Sequence, residues 1–211
     1  IGYCEGMLRC NPKLYYLYDA TDVRRDWTIS NFEYTSSGEK NFYVDESLIC
    51  RRYCAKYRRE YESSTSKNNS YTEINFPIMR YSDVLLLYAE ALNELNKAPN
   101  DDAYEAVNQV RRRAGLSNLP SGLSYQTFQQ AVRNERSHEL CFEGHRKQDL
   151  VRWGIYYDAI QQTVSDLDQW HEDANASYLI GEYTVKGKHE LLPIPQRDLD
   201  MMTLCKQNPN W

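Results

Sequence analysis

The sequence predicts a mostly α-helical protein, built from helical hairpins with long loops and a few short strands. Three observations predict it. Residues 80–170 repeat apolar side chains at helical spacing, and the joints between these segments are short and carry capping residues. Residues 1–72 instead show weak periodicity and many turn formers. The chain therefore divides into a loop-rich region, 1–72, with a short helix and strands, and a helical region, 73–211.

Taken in order, residues 13–18 read as a short helix, followed by the charged, turn-rich 19–27 (DATDVRRDW). Residues 41–61 alternate in part through Phe42, Val44, Leu48, Cys50, Tyr53 and Tyr57, which predicts one or two strands. Within them Arg51, Arg52, Lys56, Arg58 and Arg59 form a basic cluster, read as a solvated or salt-bridged edge. Residues 63–70 (SSTSKNNS) offer nothing to a core and read as a loop.

From Arg80 the pattern is helical. Tyr81, Leu85, Tyr88, Leu92 and Leu95 fall on one face, with Asp83, Glu90, Glu94 and Lys97 opposite. Leu86 and Leu87 widen the apolar zone, which predicts cover on two sides. Pro99 ends the connection, and Asn100 is placed to cap the next helix. That second helix turns Ala103, Val107, Val110 and Ala114 inward and closes with Arg111, Arg112, Arg113 and then Gly115. The pair is an αα-hairpin of the size of a tetratricopeptide unit.

A third helix begins near Ser124 and runs toward Gly144, which is expected to break it. At 100° per residue Phe128, Val132, Glu135, Glu139 and Phe142 share one stripe, so two carboxylates continue an apolar face. Burying an unpaired carboxylate is costly, so each needs a cation. Candidates are Arg146 and Arg152 nearby and Arg111–Arg113 across the hairpin. The stretch as a whole, Glu135, Arg136, Glu139, Glu143, Arg146, Asp149 and Arg152, reads as a structural ion-pair network. Residues 146–153 form a further short helix and 155–170 a last one; 171–188 read as loop or irregular hairpin, 191–195 (LLPIP) as extended and 207–211 (QNPNW) as a terminal cap.

Charge and composition limit the function classes. Lys and Arg total 25 against 30 Asp and Glu, a net charge of −5, which supplies no general affinity for nucleic acid. No run reaches the roughly 18 apolar residues of a membrane span. The first residue is Ile1, which predicts a processed product or a part of something longer. The six cysteines, at 4, 10, 50, 54, 141 and 205, match no zinc spacing; Cys141 reads as a small buried apolar residue, and the disulfide state of the pairs 4/10 and 50/54 stays open. His138, His145, His171 and His189 are not at ligand spacing, and neither a metal site nor a cofactor is predicted. No nucleophile elbow or Gly-rich phosphate loop is present.

Four segments, in order, resemble the SusD/RagB family of nutrient-binding outer-membrane lipoproteins. Residues 75–93 (NFPIMRYSDVLLLYAEALN) resemble its Asn-aromatic-Pro-x-x-Arg-Tyr block, and 107–116 (VNQVRRRAGL) its "INxVRxRAGL" helix end. Residues 135–154 (ERSHELCFEGHRKQDLVRWG) resemble "ERxxELxFEGxRxxDLxRWG", and 191–195 with 207–209 resemble the closing "LLPIP…QNP". Residues 19–28 resemble a "DxRR" segment. Departures occur at 201–204, where the family has an Asn-Pro turn, at the 210–211 ending, and at Cys141 in place of a small apolar residue.

The resemblance implies a helical superhelix related to tetratricopeptide repeats. It also implies a surface-exposed lipoprotein whose anchor lies upstream of Ile1 and which works with a TonB-dependent, SusC-like outer-membrane transporter. Its task is then to capture a glycan or another nutrient and deliver it to that channel, without catalysis. Candidate sugar-stacking aromatics are Tyr15, Tyr16, Trp27 and Tyr34, with Trp170 near the polar loop. Two alternatives stand beside this: a peptide-binding or protein-interaction scaffold of the same transport complex, and a glycoside hydrolase using Glu135 and Glu139.

Overall fold

Alanine at the contact lets three helices approach closely, and around that contact the first part of the fold is built. In a computed structural model, residues 8–44, 49–64, 71–169, 180–202 and 204–211 are described. Helices α3 (Tyr81–Asn96), α4 (Asp101–Arg113) and α5 (Tyr125–Leu140) pack against one another. Leu86 and Ala89 of α3, Ala103, Ala106, Val107 and Val110 of α4, and Phe128 and Val132 of α5 form one fully buried cluster. Each large side chain there contributes about 1.5–3 kcal/mol by leaving water. Tyr104 meets Phe128 edge to face, ring centroids 5.0 Å apart.

The caps fall where the sequence places them. The Asn100 side chain accepts the Ala103 N–H at 2.9 Å, and Ser124 accepts that of Thr127 at 3.2 Å. Gly115 follows α4 at φ +79°, a left-handed position that glycine takes without penalty. Replacing Asn100 with alanine is expected to cost about 1 kcal/mol. That is a fall in melting temperature of roughly 2–4 °C, readable by circular dichroism.

Helix α3 corrects the sequence reading. Its buried residues are Ser82, Asp83, Leu86, Ala89 and Asn93, whereas Tyr81 and Leu95 of the expected inward stripe are 71% and 79% exposed. Two contacts decide the rotation. Asp83, assigned to the polar face, is needed inside for Arg136 at 2.8 Å, and the Asn93 side chain donates to the Tyr125 carbonyl at 3.1 Å. The two-sided cover expected from Leu87 is not found either, since Leu87 and Tyr88 remain exposed.

Helix α5 also ends earlier than expected, at Leu140 rather than Gly144, and Phe142 takes φ +62°. The helix's last carbonyls find cations in place of another turn. Lys56 donates to the carbonyls of Glu139 and Cys141 at 2.7 and 3.2 Å, and Arg80 donates to that of Glu139 at 2.9 Å.

The loop-rich part packs on a second cluster of Cys10, Tyr15, Tyr18, Ile29 and Ile49. It holds α1 (Pro12–Leu17) and α2 (Arg24–Thr28). Strand β1 (Phe32–Tyr34) pairs antiparallel with β2 (Lys40–Phe42), Glu33 facing Asn41. The strands expected in 41–61 amount to the end of β2; beyond it lie 3-10 turns at Ile49–Arg51 and Arg59–Tyr61 and isolated bridges Arg9–Tyr53 and Ile29–Cys54. Tyr18 ties this part to α5, its hydroxyl donating to the His138 carbonyl at 2.7 Å.

By internal contacts the chain forms two units, Ile1–Arg146 and Lys147–Trp211. The second holds α6, which begins at the boundary (Arg146–Arg152), α7 (Tyr156–Gln169), α8 (Ile180–Tyr183) and α9 (Gln196–Met201), the last two not foreseen from sequence, α8 falling in the expected loop 171–188. Residues 171–179 of the expected loop lie outside the described residues. Gly181 sits so close to Val164 that a Cβ would come within 2.2 Å of its methyl, so only glycine fits. Gln207 clamps the LLPIP segment, accepting the Ile194 N–H at 2.8 Å and donating to its carbonyl at 2.9 Å. No described helix is long and apolar enough to cross a membrane.

Candidate ligand-binding site

Two groups of side chains compete for a functional role: the charged residues of α5 and the exposed aromatics of the loop-rich region. The charged group is buried and internally paired. Glu135 receives Arg24 Nη1 at 2.7 Å and Arg111 Nη1 at 3.2 Å. Glu139 receives Arg24 at 3.1 Å, Arg80 at 2.8 Å and also Arg113. Glu143 takes Arg80 through both Nε (2.8 Å) and Nη2 (2.7 Å), and Lys56 as well. Asp22 closes the set, holding Arg24 at 2.6 Å. Burial by itself pushes the Glu139 carboxyl up, yet hydrogen bonds from Arg113 and Arg80 outweigh it and hold the group down at about 2.

The expected partners are therefore partly corrected. Arg111 and Arg113 take part, whereas Arg146 is exposed at the start of α6, and Arg152 pairs at 2.9 Å with Asp149. Arg136 binds Asp83. Sequence reasoning missed Arg24, Arg80, Lys56 and Asp22. The available signal was that Asp22 and Arg24 lie in the DVRRD segment and Arg80 in FPIMRY, both already singled out. With guanidinium groups on each carboxylate and both side chains buried, Glu135 and Glu139 face no open cleft of the kind a glycosidase needs.

The aromatic candidates separate. Tyr15 is 5% exposed, its ring covered by the guanidinium groups of Arg25 and Arg52, which corrects its assignment as a stacking surface. Tyr16 is exposed and edge-on to Tyr15. Trp27 is 46% exposed and lies 5.6 Å from Tyr61, itself 64% exposed and not foreseen, at an interplanar angle of 37°. Tyr34 joins them through polar groups: its hydroxyl donates to Glu60 at 3.2 Å, and Glu60 also holds Lys40 at 2.8 Å. Arg58 lies over Trp27 at 4.4 Å and 3.7 Å from Glu60. The result is an exposed aromatic pair, one face of Trp27 covered by Arg58, with fixed donors and acceptors beside it. Trp170 lies outside the described residues.

Other chemistry is sparse. No disulfide joins Cys10, Cys50, Cys54, Cys141 and Cys205 among the described residues, and burial raises the Cys141 thiol to about 11. Cys4 lies outside the described residues. No group of three or more His, Cys, Asp or Glu gathers as a metal site among the described residues.

The SusD family model matches residues 13–211. The chain belongs to the SusD family. It is 36% identical over 155 residues to SusD-like protein P25 of Formosa agariphila, covering 71% of this chain and 26% of that protein. A crystal structure of a SusD homolog from Bacteroides thetaiotaomicron superposes with a TM-score of 0.82 at 41% identity, over 94% of this chain and 42% of that one. A laminarin-binding SusD-like protein superposes at 0.59 with 28% identity, over 95% of this chain and 37% of that one. The chain thus spans less than half the length of these relatives. The mostly helical SusD-like fold expected from the ordered motifs is the fold found, and the charged stretch 135–152 belongs largely to its interior.

Proposed function

We propose that this SusD-family chain serves in cell-surface glycan capture, with the loop-rich region 1–72 facing the ligand and residues 73–211 acting as scaffold. The observation that carries the reading is the exposed Trp27–Tyr61 pair, with Arg58 over one face of Trp27 and Glu60 beside it. A sugar face stacks on such rings while its hydroxyls pair with the flanking charges. The laminarin-binding relative supports a carbohydrate ligand. The role is non-catalytic, since Glu135 and Glu139 are sealed by guanidinium groups; incubation with glycans should release no reducing sugar. Delivery to a TonB-dependent, SusC-like transporter from a lipid-anchored position on the outer membrane completes the proposal. Co-purification of such a transporter with the tagged protein from membranes tests that part.

Affinity electrophoresis through polysaccharide gels tests the binding. We expect retardation by at least one glycan. Trp27→Ala should weaken it by roughly 2 kcal/mol, the loss typical of truncating a Trp anchor at a binding surface. Undiminished retardation of that variant would move the site elsewhere.

A second reading, a protein-interaction scaffold of the same complex, has one observation in its favour. Helices α3 and α4 form a groove of about 340 Å³, lined by Tyr81, Val84, Leu85 and Tyr88 on one side and Asp102, Glu105, Ala106 and Gln109 on the other. Binding of a peptide without any glycan retardation would favour it.

A further inference from the structure

We infer that the Trp27–Tyr61 pair takes uncharged glycans, polymers of neutral sugars without uronate or sulfate groups; this rests on the glycan-binding reading above. The reason is the charge inventory around the two rings. Arg58 over Trp27, and the cations of the neighbouring segments, are each committed to a group of the chain itself. Arg58 donates to the carbonyls of Ala55, Asp26 and Trp27 at 3.0, 2.8 and 3.0 Å and lies 3.7 Å from Glu60. Lys40 lies 2.8 Å from that same Glu60. Arg25 pairs with Asp26 at 3.0 Å, and Arg59 with Glu62 at 2.9 Å.

An anionic sugar binding here would have to draw one of these cations away from its carboxylate. The carboxylate left behind would then face the incoming anion at close range, so the exchange replaces one attraction with another and adds a repulsion. A neutral sugar meets no such conflict. Its hydroxyls meet the outer edges of these ion pairs while its face stacks on the open ring surface, and every ion pair stays closed. The net charge of −5 acts in the same direction at longer range.

The test is affinity electrophoresis at pH 7 with laminarin, starch and galactomannan as neutral probes. Polygalacturonate, alginate and carrageenan serve as acidic ones. The parent protein is run beside Trp27→Ala, Tyr61→Ala and Glu60→Gln, whose folding is checked by circular dichroism. We expect at least one neutral glycan to retard the parent, the acidic ones not to, and both aromatic variants to lose the effect. Glu60→Gln frees Lys40 and Arg58 from their carboxylate and should raise affinity for polygalacturonate by roughly threefold or more, the worth of two exposed ion contacts. Retardation by an acidic glycan that Trp27→Ala abolishes would overturn this inference and leave the glycan-binding site standing. An unchanged response of Glu60→Gln to polygalacturonate would overturn the charge argument. Absence of retardation by any probe, or retardation that neither aromatic variant alters, would overturn both this inference and the site.

Discussion

Glu139→Ala is expected to destabilise the protein by about 3–5 kcal/mol, the cost of breaking a buried ion pair from one side. For a chain of this size that lowers the melting temperature by roughly 6–20 °C. Glu139 gathers Arg24, Arg80 and Arg113. With the carboxylate gone, Arg24 keeps Asp22 and Glu135 and Arg80 keeps Glu143, but each loses a buried partner, which places the loss toward the lower end of that range. Arg113 is the exception, because its side chain is largely exposed and relaxes into solvent at little cost. The size of the effect measures the charges left unpaired; it does not measure how much the intact network stabilises, which can be small. Glu139→Gln, which keeps a hydrogen-bond acceptor, should fall between parent and alanine variant. Thermal unfolding of the three reads this out. An alanine variant that melted with the parent while losing glycan retardation would make the stretch a binding site and not scaffold.

Acid should unfold the protein in two overlapping steps, and His138 sets the first. Its Nε2–H donates to the Leu17 carbonyl at 3.0 Å, and its ring stacks on Tyr18 at 4.6 Å. Its Nδ1 is buried with no hydrogen-bond partner among the described residues, so a second proton there would find no acceptor. Burial, and then the nearby Arg24 charge, push the imidazole down to about 4 from its ordinary 6.5.

The unfolded chain therefore binds the proton more readily than the folded one between these values. Stability is complete above about pH 6.5 and falls as pH drops toward 4, by about 3 kcal/mol for the full shift. Glu139, held at about 2 against 4.5, adds a second loss of similar size as pH falls from 4.5 to 2. His138→Gln keeps a side-chain N–H for Leu17 and cannot titrate, so its denaturation free energy should stay flat between pH 6.5 and 4.5. A parent slope unchanged in that variant would assign the first step to another group.

The elements written most clearly in the sequence are those set by local rules. The αα-hairpin of α3 and α4 follows from apolar period, and its ends follow from Asn100 and Gly115. The inward turn of Glu135 and Glu139 follows from their placing one and two turns beyond Val132. Where a residue carries both characters the sequence is ambiguous. Helix α3 is apolar on more than half its circumference, so periodicity leaves the direction of its core open. Asp83 looks polar and outward until Arg136 is seen to need it.

What the sequence by itself determined is the fold class and the family, because these rest on spacing along one chain. What only the tertiary structure decided is which cations seal the charged stretch and which aromatics remain open. Arg24 reaches Glu139 across 115 residues and Arg80 across 59. Trp27 and Tyr61 become one surface while Tyr15 is lost to the core. The physical reason is the same in each case: pairing and exposure depend on which segments the packed helices bring together, and spacing along the chain does not encode that.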